Sequence, residues 1–257
     1  MSGNIHIQFL GTGSIIPDPH RSCAAALLEF PRGRILIDVG PGSLRQMAIH
    51  KISLLSIDYI FLTHFHPDHV SDLIPLLFAL QNSRLPEKEE TLRVWGPRGL
   101  LRFLEAMEAG YGRWVKHLDE EIKFYELKRR LLDFPGFRLI WNKVLHKNES
   151  VGYRIETGGK VVCFSGDSGY CQELIRLCHQ ADVAVLDCAH ADEHAVEGHL
   201  SPSLAAKIAA EADVRKLILT HLYPDAARSD LLSVAQKYFS GPIIIARDGM
   251  RLALEAN

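Results

Sequence analysis

The feature that most constrains how this chain can fold is the loop Thr63–His69, which holds three histidines and one aspartate. The apolar run 58–62 precedes the loop and is typical of a buried strand. Residues 70–80 are apolar on most faces and predict a buried helix after the loop. The loop therefore follows a strand at the edge of a sheet, where the ligand sites of α/β proteins usually lie.

Four side chains of this loop have the chemistry of metal ligands. His64 and His66 are two positions apart, so in an extended loop both point to the same side. Asp68 and His69 then turn toward a second, adjacent point. Imidazole and carboxylate ligands favour zinc, with manganese or iron as alternatives, and two metals about 4 Å apart can hold a bridging hydroxide. The loop predicts a binuclear centre; the alternative is a polar loop whose histidines are satisfied by hydrogen bonds alone.

Four ligands cannot complete two metal sites, so further ligands must follow other strands that end at the same edge. Three residues meet this requirement, each of them just after a predicted strand: His146, Asp167 and His221. Because a carboxylate has two oxygens, Asp167 can bridge both metals.

Predicted strands and helices follow the same rhythm in the two halves of the chain. Strands are expected at 5–10, 24–30, 34–38 and 58–62, and again at 137–144, 151–156, 160–165, 182–187 and 216–220. Helices are expected from 43 and at 70–80, 171–179, 201–212 and 225–239, with an amphipathic stretch at 98–109. Ser201 is the expected N-cap before Pro202, and Asp248-Gly249 predicts a hairpin between 243–246 and 250–254.

This rhythm predicts an α/β protein: a four-layer αββα sandwich of two mixed sheets with the helices outside. No linker separates the two halves, so we expect a single domain, 1–257. Within it, the segment 84–130 opens with the charged run Pro86–Glu90, expected as a solvated loop. We expect this segment to line or cover the cleft.

Composition excludes several classes of protein. The 29 Lys and Arg and 31 Asp and Glu give a net charge of −2, which does not favour a protein that coats nucleic acid. No apolar run reaches the roughly 18 residues that span a bilayer, and the N-terminus lacks the pattern of a signal peptide. Five scattered cysteines do not suggest a disulfide framework. We therefore expect a cytoplasmic protein with no membrane partner.

Seven segments, in order along most of the chain, resemble the metallo-β-lactamase-fold hydrolases, and within them the ribonuclease Z-like branch. The most specific match is Thr63–His69, which is similar to the metal motif of that family. The others are Phe9–Ser14 with Pro17 and Arg21, Asp38–Met47, His146 with Ser150–Arg154, Gly166–Ser168, Gly198–Ser201 and Thr220-His221.

The resemblance implies a set of roles for these residues. One zinc would be held by His64, His66, His146 and Asp167, and the other by Asp68, His69, Asp167 and His221. His199 and Asp68 would be the catalytic residues, with His199 steadying the transition state or protonating the leaving oxygen. The alternative for His199 is a helix neighbour with no chemical role.

Two further expectations concern the acidic residues that would orient a ligand imidazole and His199. Asp38 is expected to accept a hydrogen bond from a ligand imidazole; its alternative is to cap the turn before Ser43. The acidic residue usual in the family's His-Glu-Ala-Thr segment is missing here. Either Asp187 or Glu197 would orient His199, and the sequence does not choose between them.

One departure from the family changes the expected substrate. Ribonuclease Z carries a long basic arm that grips tRNA between its third motif and its bridging aspartate, whereas His146 and Asp167 are only 21 positions apart. Two predicted strands fill that interval. We therefore expect a zinc-dependent phosphodiesterase for a small or cyclic phosphodiester, and RNA is not the favoured partner.

Other expectations and alternatives remain. A homodimer is implied by the resemblance alone, and the lone Cys23 gives no expectation of the structural zinc that some relatives carry. The same metal centre could instead hydrolyse a lactone, thioester or sulfate ester. It could also act as a ribonuclease Z-type tRNA 3′ endonuclease with an arm from a partner subunit, or serve a non-catalytic metal or ligand sensor.

Overall fold

Apolar and alternating runs in the first half of the chain form one mixed sheet of seven strands. A computed structural model describes residues 5–82, 91–112 and 122–254. The strand order of the first sheet is β14-β1-β2-β3-β4-β5-β6, antiparallel from β14 to β3 and parallel from β3 to β6. Its strands are β1 (Ile5–Gly11), β2 (Ala25–Phe30), β3 (Gly33–Ile37), β4 (Tyr59–Phe61), β5 (Leu92–Gly96), β6 (Ile122–Glu126) and β14 (Arg251–Leu254).

The second sheet repeats this plan. Its order is β13-β12-β11-β10-β9-β8-β7, antiparallel from β7 to β10 and parallel from β10 to β13. The strands are β7 (Leu131–Phe134), β8 (Phe137–Lys143), β9 (Val151–Thr157), β10 (Lys160–Phe164), β11 (Val183–Asp187), β12 (Leu217–Thr220) and β13 (Ile243–Ile245). Because β8, β10, β11 and β12 run in the same direction, their carboxyl ends meet at one edge.

Helices cover the outer face of each sheet, so the predicted αββα sandwich is confirmed. The first sheet carries α1 (Ser43–Ile49), α2 (Pro67–Val70), α3 (Leu73–Asn82) and α4 (Leu100–Tyr111). The second carries α5 (Gln172–Cys178), α6 (Pro202–Glu211), α7 (Pro224–Ala227) and α8 (Leu231–Ala235). No helix among the described residues is long and apolar enough to cross a bilayer.

The core between the two sheets is rich in aromatic side chains. Phe61 of β4 contacts Tyr153 of β9 with ring centroids 5.6 Å apart, and Phe134 stacks on Phe137 at 4.6 Å. Tyr59 packs edge-on against Phe137 at 5.1 Å. Such pairs contribute about 0.5–1.5 kcal/mol each beyond the area they bury. This cluster fixes β4, the strand that leads into the histidine loop, against the opposite sheet.

The predicted hairpin about Asp248-Gly249 is wrong. β13 pairs with β12 in the second sheet, whereas β14 pairs with β1 in the first, so the turn crosses from one sheet to the other. The Asp248 carboxylate holds the crossing in place: Oδ1 accepts from the Thr12 amide at 3.0 Å, and Oδ2 accepts from the Ser22 amide at 2.6 Å. Long-range hydrogen bonds override the local turn signal.

The predicted helix 225–239 is also wrong as a single element. It is divided into α7 and α8, because Asp230 caps a new helix by accepting a hydrogen bond from the Ser233 amide at 3.1 Å. Ser201 does stand before Pro202 at the start of α6, but its side chain makes no capping bond. Instead Asp192 accepts from the Ser203 amide at 3.1 Å.

The segment 84–130 is described in part. Residues 91–112 and 122–130 hold β5, α4 and β6, so two parallel strands that were not predicted extend the first sheet. The strand β7, which follows at Leu131–Phe134, was not predicted either. The charged run 86–90 lies outside the described residues, and the cleft-lining role of the segment stays a prediction.

Candidate metal centre

The histidine loop begins where β4 ends, and hydrogen bonds from both sheets fix its first residues. The Thr63 amide and hydroxyl donate to the two oxygens of Asp38 at 2.7 and 2.8 Å. The Val151 amide donates to the Thr63 carbonyl at 3.0 Å, and the buried Tyr153 hydroxyl donates to the Leu62 carbonyl. The loop is therefore attached to β9 of the opposite sheet at its base.

Asp167 lies at the centre of the seven predicted ligands, all of which converge on one point. Its Oδ1 is 3.0 Å from His69 Nε2 and 3.4 Å from His221 Nε2. Its Oδ2 is 3.5 Å from His64 Nε2 and 3.8 Å from His146 Nε2. One carboxylate thus contacts members of both predicted ligand sets.

The two remaining ligands complete these sets. His66 Nδ1 lies 3.2 Å from His146 Nε2, and Asp68 Oδ2 lies 3.2 Å from His221 Nε2. The candidate ligand atoms fall into groups whose members all lie within 4.8 Å of one another: His64 with His66, His146 and Asp167, and Asp68 with His69 and His221.

Hydrogen bonds on the outer nitrogens orient the ligand imidazoles. His69 Nδ1 donates to Asp38 at 2.7 Å and His146 Nδ1 donates to the Gly198 carbonyl at 2.9 Å. His64 Nδ1 is 3.0 Å from the Thr63 hydroxyl, which already donates to Asp38 and so accepts here. In each ring the Nε2 lone pair is thereby turned toward Asp167, the arrangement that metal-binding histidines require. The expectation for Asp38 as the acceptor behind a ligand histidine agrees with this geometry.

Two observations show that this set of residues fits divalent cations. His64 Nε2, His69 Nε2 and Asp167 Oδ1 are buried and make no hydrogen bond that satisfies them within the described part of the chain. Four carboxylates are buried together, and among the described residues none of them pairs with Lys or Arg: Asp38, Asp68, Asp167 and Asp187. Their partners are imidazoles, amides and one hydroxyl, so a cluster of four buried carboxylates would gain from divalent cations.

The electrostatics of the cluster leave lone pairs free on three of its imidazoles and favour a proton on His69. Burial lowers the pKa of His64, His66 and His146, so these imidazoles are neutral at pH 7. Burial opposes charge on Asp167 as well, but the surrounding imidazoles outweigh it and hold the pKa of that carboxyl well below its usual value. For His69 the carboxylates outweigh burial and raise the pKa to about 10.

Unusual backbone conformations bring the ligands of the second sheet into place. Gly166 has φ +59°, and a Cβ there would lie 2.7 Å from the Thr63 side chain, so only glycine lets the Asp167 loop approach β4 this closely. His221 and Asp38 also have positive φ, at 60° and 58°. Left-handed backbone at non-glycine residues is strained and is concentrated at functional sites.

His199 stands beside the ligands, and Asp187 holds it. Its Nδ1 donates to Asp187 Oδ2 at 2.9 Å, whereas Glu197 is exposed. The same oxygen accepts from the Ser168 and Leu200 amides, and Oδ1 lies 3.5 Å from His221 Nδ1. Asp187 is thus the acidic neighbour that the sequence left open, and it links His199 to a candidate ligand. The Asp187 hydrogen bond outweighs burial and raises the pKa of His199.

The candidate ligands differ in their access to solvent. A cavity of about 50 Å³ between the sheets is lined by His69, Asp167 and His221 together with apolar residues such as Phe9 and Phe164. His66, His146 and His199 are partly exposed and form the open side of the centre. A substrate would reach the cluster from this open side.

One residue near the opening, Tyr223, was missed as a site residue in the sequence. Tyr223 comes two positions after His221, and its ring centroid lies 5.8 Å from that of His221. The ring of His190 packs against Tyr223, with the centroids 4.5 Å apart. The only signal for Tyr223 was its position just beyond a strand-end ligand.

Comparisons with known proteins agree with the fold. A Beta-lactamase superfamily domain model matches residues 33–222. Ribonuclease Z of Archaeoglobus fulgidus is 30% identical over 303 aligned positions, covering 96% of each chain. A protein of Mycobacterium tuberculosis without an assigned function is 29% identical over 245 positions, covering 93% of this chain and 89% of that one.

Solved structures with the same fold include two close matches in shape. The metallo-β-lactamase fold protein YhfI of Bacillus subtilis superposes with a TM-score of 0.86 at 24% identity, covering 98% of this chain and all of that one. Human tRNase Z, short form, gives 0.78 at 24% identity, with the same coverage of each chain. The chain therefore belongs to the metallo-β-lactamase superfamily of hydrolases, in its ribonuclease Z-like branch.

Proposed function

We propose that this protein is a zinc-dependent phosphodiesterase that hydrolyses a small or cyclic phosphodiester. The observation that carries the proposal is the convergence of seven ligand-type side chains beside a histidine that a buried carboxylate orients. Relatives named ribonuclease Z, an enzyme class that acts on phosphodiesters, support this type of substrate.

In this proposal the ligands divide into two sets that share Asp167. His64, His66 and His146 would hold one ion with Asp167, and Asp68, His69 and His221 would hold the other. Zinc suits this donor set, with manganese or iron as alternatives. When bound, such ions withdraw charge from phosphate oxygens and lower the pKa of water toward neutrality.

The residues of the chain would perform the proton chemistry. Asp68 is buried and ionised, and it would accept a hydrogen bond from the attacking water and so orient it. His199 would give a proton to the leaving oxygen, and the hydrogen bond to Asp187, which raises the pKa of the ring, favours its protonated form. Asp187 would keep the ring in place and stabilise its charge throughout.

The β9–β10 connection favours a small substrate over tRNA. These strands are joined by the turn Gly158-Gly159, so the chain between His146 and Asp167 holds a hairpin and no arm. Alignments with two archaeal relatives named ribonuclease Z extend over 303 and 306 positions, beyond the 257 residues of this chain, so those proteins contain inserted residues. The mycobacterial alignment covers only 245 positions.

The cysteines are consistent with the expected cytoplasmic location. All five are free thiols and four are buried. Thiols stay reduced in the cytosol, and a secreted protein of this size would gain from pairing them. Cytoplasmic location is therefore part of this proposal.

The test is an activity screen of zinc-loaded protein on two phosphodiesters with different leaving groups. Bis-p-nitrophenyl phosphate releases a weakly basic phenolate that needs no proton, whereas a 2′,3′-cyclic nucleotide releases an alkoxide that does. Wild-type protein is expected to turn over both. His199→Ala is expected to lose about 10²–10⁴-fold on the cyclic nucleotide and much less on the aryl ester.

The matched control is His179→Ala, which removes an exposed histidine away from the cluster and is expected to change neither rate. Equal losses on both substrates would exclude an acid role for His199. Turnover of lactones, thioesters or sulfate esters without any phosphodiester would contradict the proposal. No turnover of any ester by the wild type, together with unchanged metal content in His199→Ala, would favour a non-catalytic sensor.

A further inference from the structure

A continuous row of partly exposed rings borders the open side of the metal centre. His66 contacts His146 with ring centroids 4.9 Å apart, and His146 contacts His199 at 4.8 Å. Beyond His199 the row continues to His190 and Tyr223, each 6.3 Å away. The first two rings are candidate ligands and the third is the proposed acid, so the last two have no role in the proposed chemistry.

Tyr223 and His190 form a fixed pair, which we call the Tyr223–His190 wall. Their ring centroids are 4.5 Å apart with an angle of 31° between the planes. The Tyr223 amide donates to the Ala189 carbonyl at 3.0 Å, and His190 Nδ1 lies 3.2 Å from both oxygens of Asp225. Asp225 is also 3.5 Å from His194 Nδ1, so the loop 190–194 is held against α7. The wall is therefore preorganised.

Two exposed apolar side chains adjoin the row of rings at His199 and at His146. Val196 is exposed, and its carbonyl accepts from the His199 amide at 3.1 Å. Leu145 is exposed directly before His146. A planar, largely uncharged group would bury this surface, whereas a polyanion would gain little from it.

We propose that the Tyr223–His190 wall binds a planar aromatic leaving group of the substrate, such as an aryl group or the base of a nucleoside. This proposal rests on the proposed function. A group that protonates the leaving oxygen must lie next to it, so the leaving group extends past His199, and the wall is the surface beyond His199. Tyr223 and His190 are then specificity-determining residues that take no part in bond cleavage.

A binding experiment tests the wall without requiring turnover. Phenylphosphonate and methylphosphonate carry the same anion and differ in one aromatic ring. Isothermal titration calorimetry of the zinc-loaded protein is expected to give about tenfold tighter binding of phenylphosphonate, since stacking on an aromatic side chain is worth about that factor. Tyr223→Ala is expected to abolish the preference, and Tyr223→Phe to keep it.

Two further variants separate stacking from folding. Tyr223→Leu keeps apolar bulk beside His221 but removes the planar ring, and it is expected to lose the preference with zinc content unchanged. Tyr238→Ala is the control. It removes an exposed surface tyrosine whose ring contacts Lys207, and it is expected to bind both phosphonates like the wild type.

The outcomes distinguish failure of the wall proposal from failure of the proposed phosphodiesterase function. If neither phosphonate binds the zinc-loaded protein, the proposed phosphodiesterase function fails. If both bind equally to the wild type, or if Tyr223→Ala and Tyr223→Leu keep the preference, the wall proposal is overturned while the function stands.

Discussion

The two sheets contribute to the candidate metal centre in different ways. The first supplies four candidate ligands from one loop, 63–69, at the end of β4. The second supplies them singly, with His146, Asp167 and His221 each after a different strand. The first contribution depends on local geometry, whereas the second exists only if the strands of the second sheet are correctly paired and their ends aligned.

The supports behind the ligands differ in the same way. On the first sheet a single side chain, Asp38, holds both Thr63 and His69. On the second, the Gly198 backbone carbonyl holds His146, and Asp187 lies next to both His221 and His199. One substitution at Asp38 can therefore remove the carboxylate that accepts hydrogen bonds from both loop residues. On the second sheet, the groups that hold the candidate ligands belong to different residues.

Asp167→Asn should have the largest effect, because this carboxylate contacts ligands from both sheets. We expect zinc content to fall and phosphodiester turnover to drop by about 10³-fold, equivalent to about 4 kcal/mol of transition-state stabilisation. Elemental analysis and steady-state kinetics measure both. Asp133→Asn, at an exposed aspartate paired with Arg138, is the control and should match the wild type. Normal zinc content in Asp167→Asn would show that the sheets do not share a ligand.

Asp38→Asn should weaken the contribution of the first sheet alone. His69 loses its charged acceptor, and such supporting residues change metal affinity by about 10–100-fold. Competition with a zinc chelator gives the affinity. Asp182→Asn removes another well-bonded carboxylate, which accepts from the Val161 amide, and should leave zinc affinity unchanged. Equal losses in the two variants would mean that the effect of Asp38 is on general stability.

Tyr153→Phe tests the attachment between the sheets. It leaves the buried Leu62 carbonyl without its donor, so we expect the free energy of unfolding to fall by about 1–3 kcal/mol. Urea denaturation measures this change. Tyr170→Phe removes a hydroxyl bonded to Glu211 at the surface and should cost much less. A negligible effect of Tyr153→Phe would indicate that this hydrogen bond contributes little to the attachment between the sheets.

The smallest expected effect concerns thiol reactivity. The rate of cysteine labelling reports how well each sheet protects a thiol from solvent. Burial raises the pKa of Cys23, next to the first sheet, to about 11, and it also raises the pKa of Cys188 after β11. At pH 8 both thiols are protonated, so iodoacetamide should react first at the partly exposed Cys171. Labelling of Cys23 should increase only as the pH approaches 11. Rapid labelling of Cys23 at pH 8, detected by mass spectrometry, would show that the loop before β2 opens.

The same contrast explains what could be predicted from the sequence. The loop 63–69 could be predicted as a source of candidate ligands because its histidines and aspartate are contiguous. The strand-end candidates could be predicted because apolar runs mark where strands stop. The choice of Asp187 over Glu197 could not be made, since it depends on the register of β11 beside β12. The hairpin at Asp248 was wrong because its carboxylate bonds to Thr12 and Ser22, more than 200 positions away.

The strands β5, β6 and β7 were missed for a related reason. In β6 and β7 few side chains are fully buried, as in Leu131–Phe134, where exposed and half-buried residues alternate. β5 and β6 also lie in the segment that opens with a charged run, so the composition there resembled a loop. β5 is a strand because it pairs in parallel with β4, and β6 is a strand because it pairs in parallel with β5. These pairings join distant parts of the chain, so the local sequence does not reveal them.

The central claim is that both sheets bind one pair of ions. Anomalous diffraction at the zinc edge, from crystals grown with zinc, tests it most directly. Two adjacent peaks should lie on either side of Asp167, one among His64, His66 and His146 and the other among Asp68, His69 and His221. Peaks elsewhere, or none within reach of Asp167, would contradict the account.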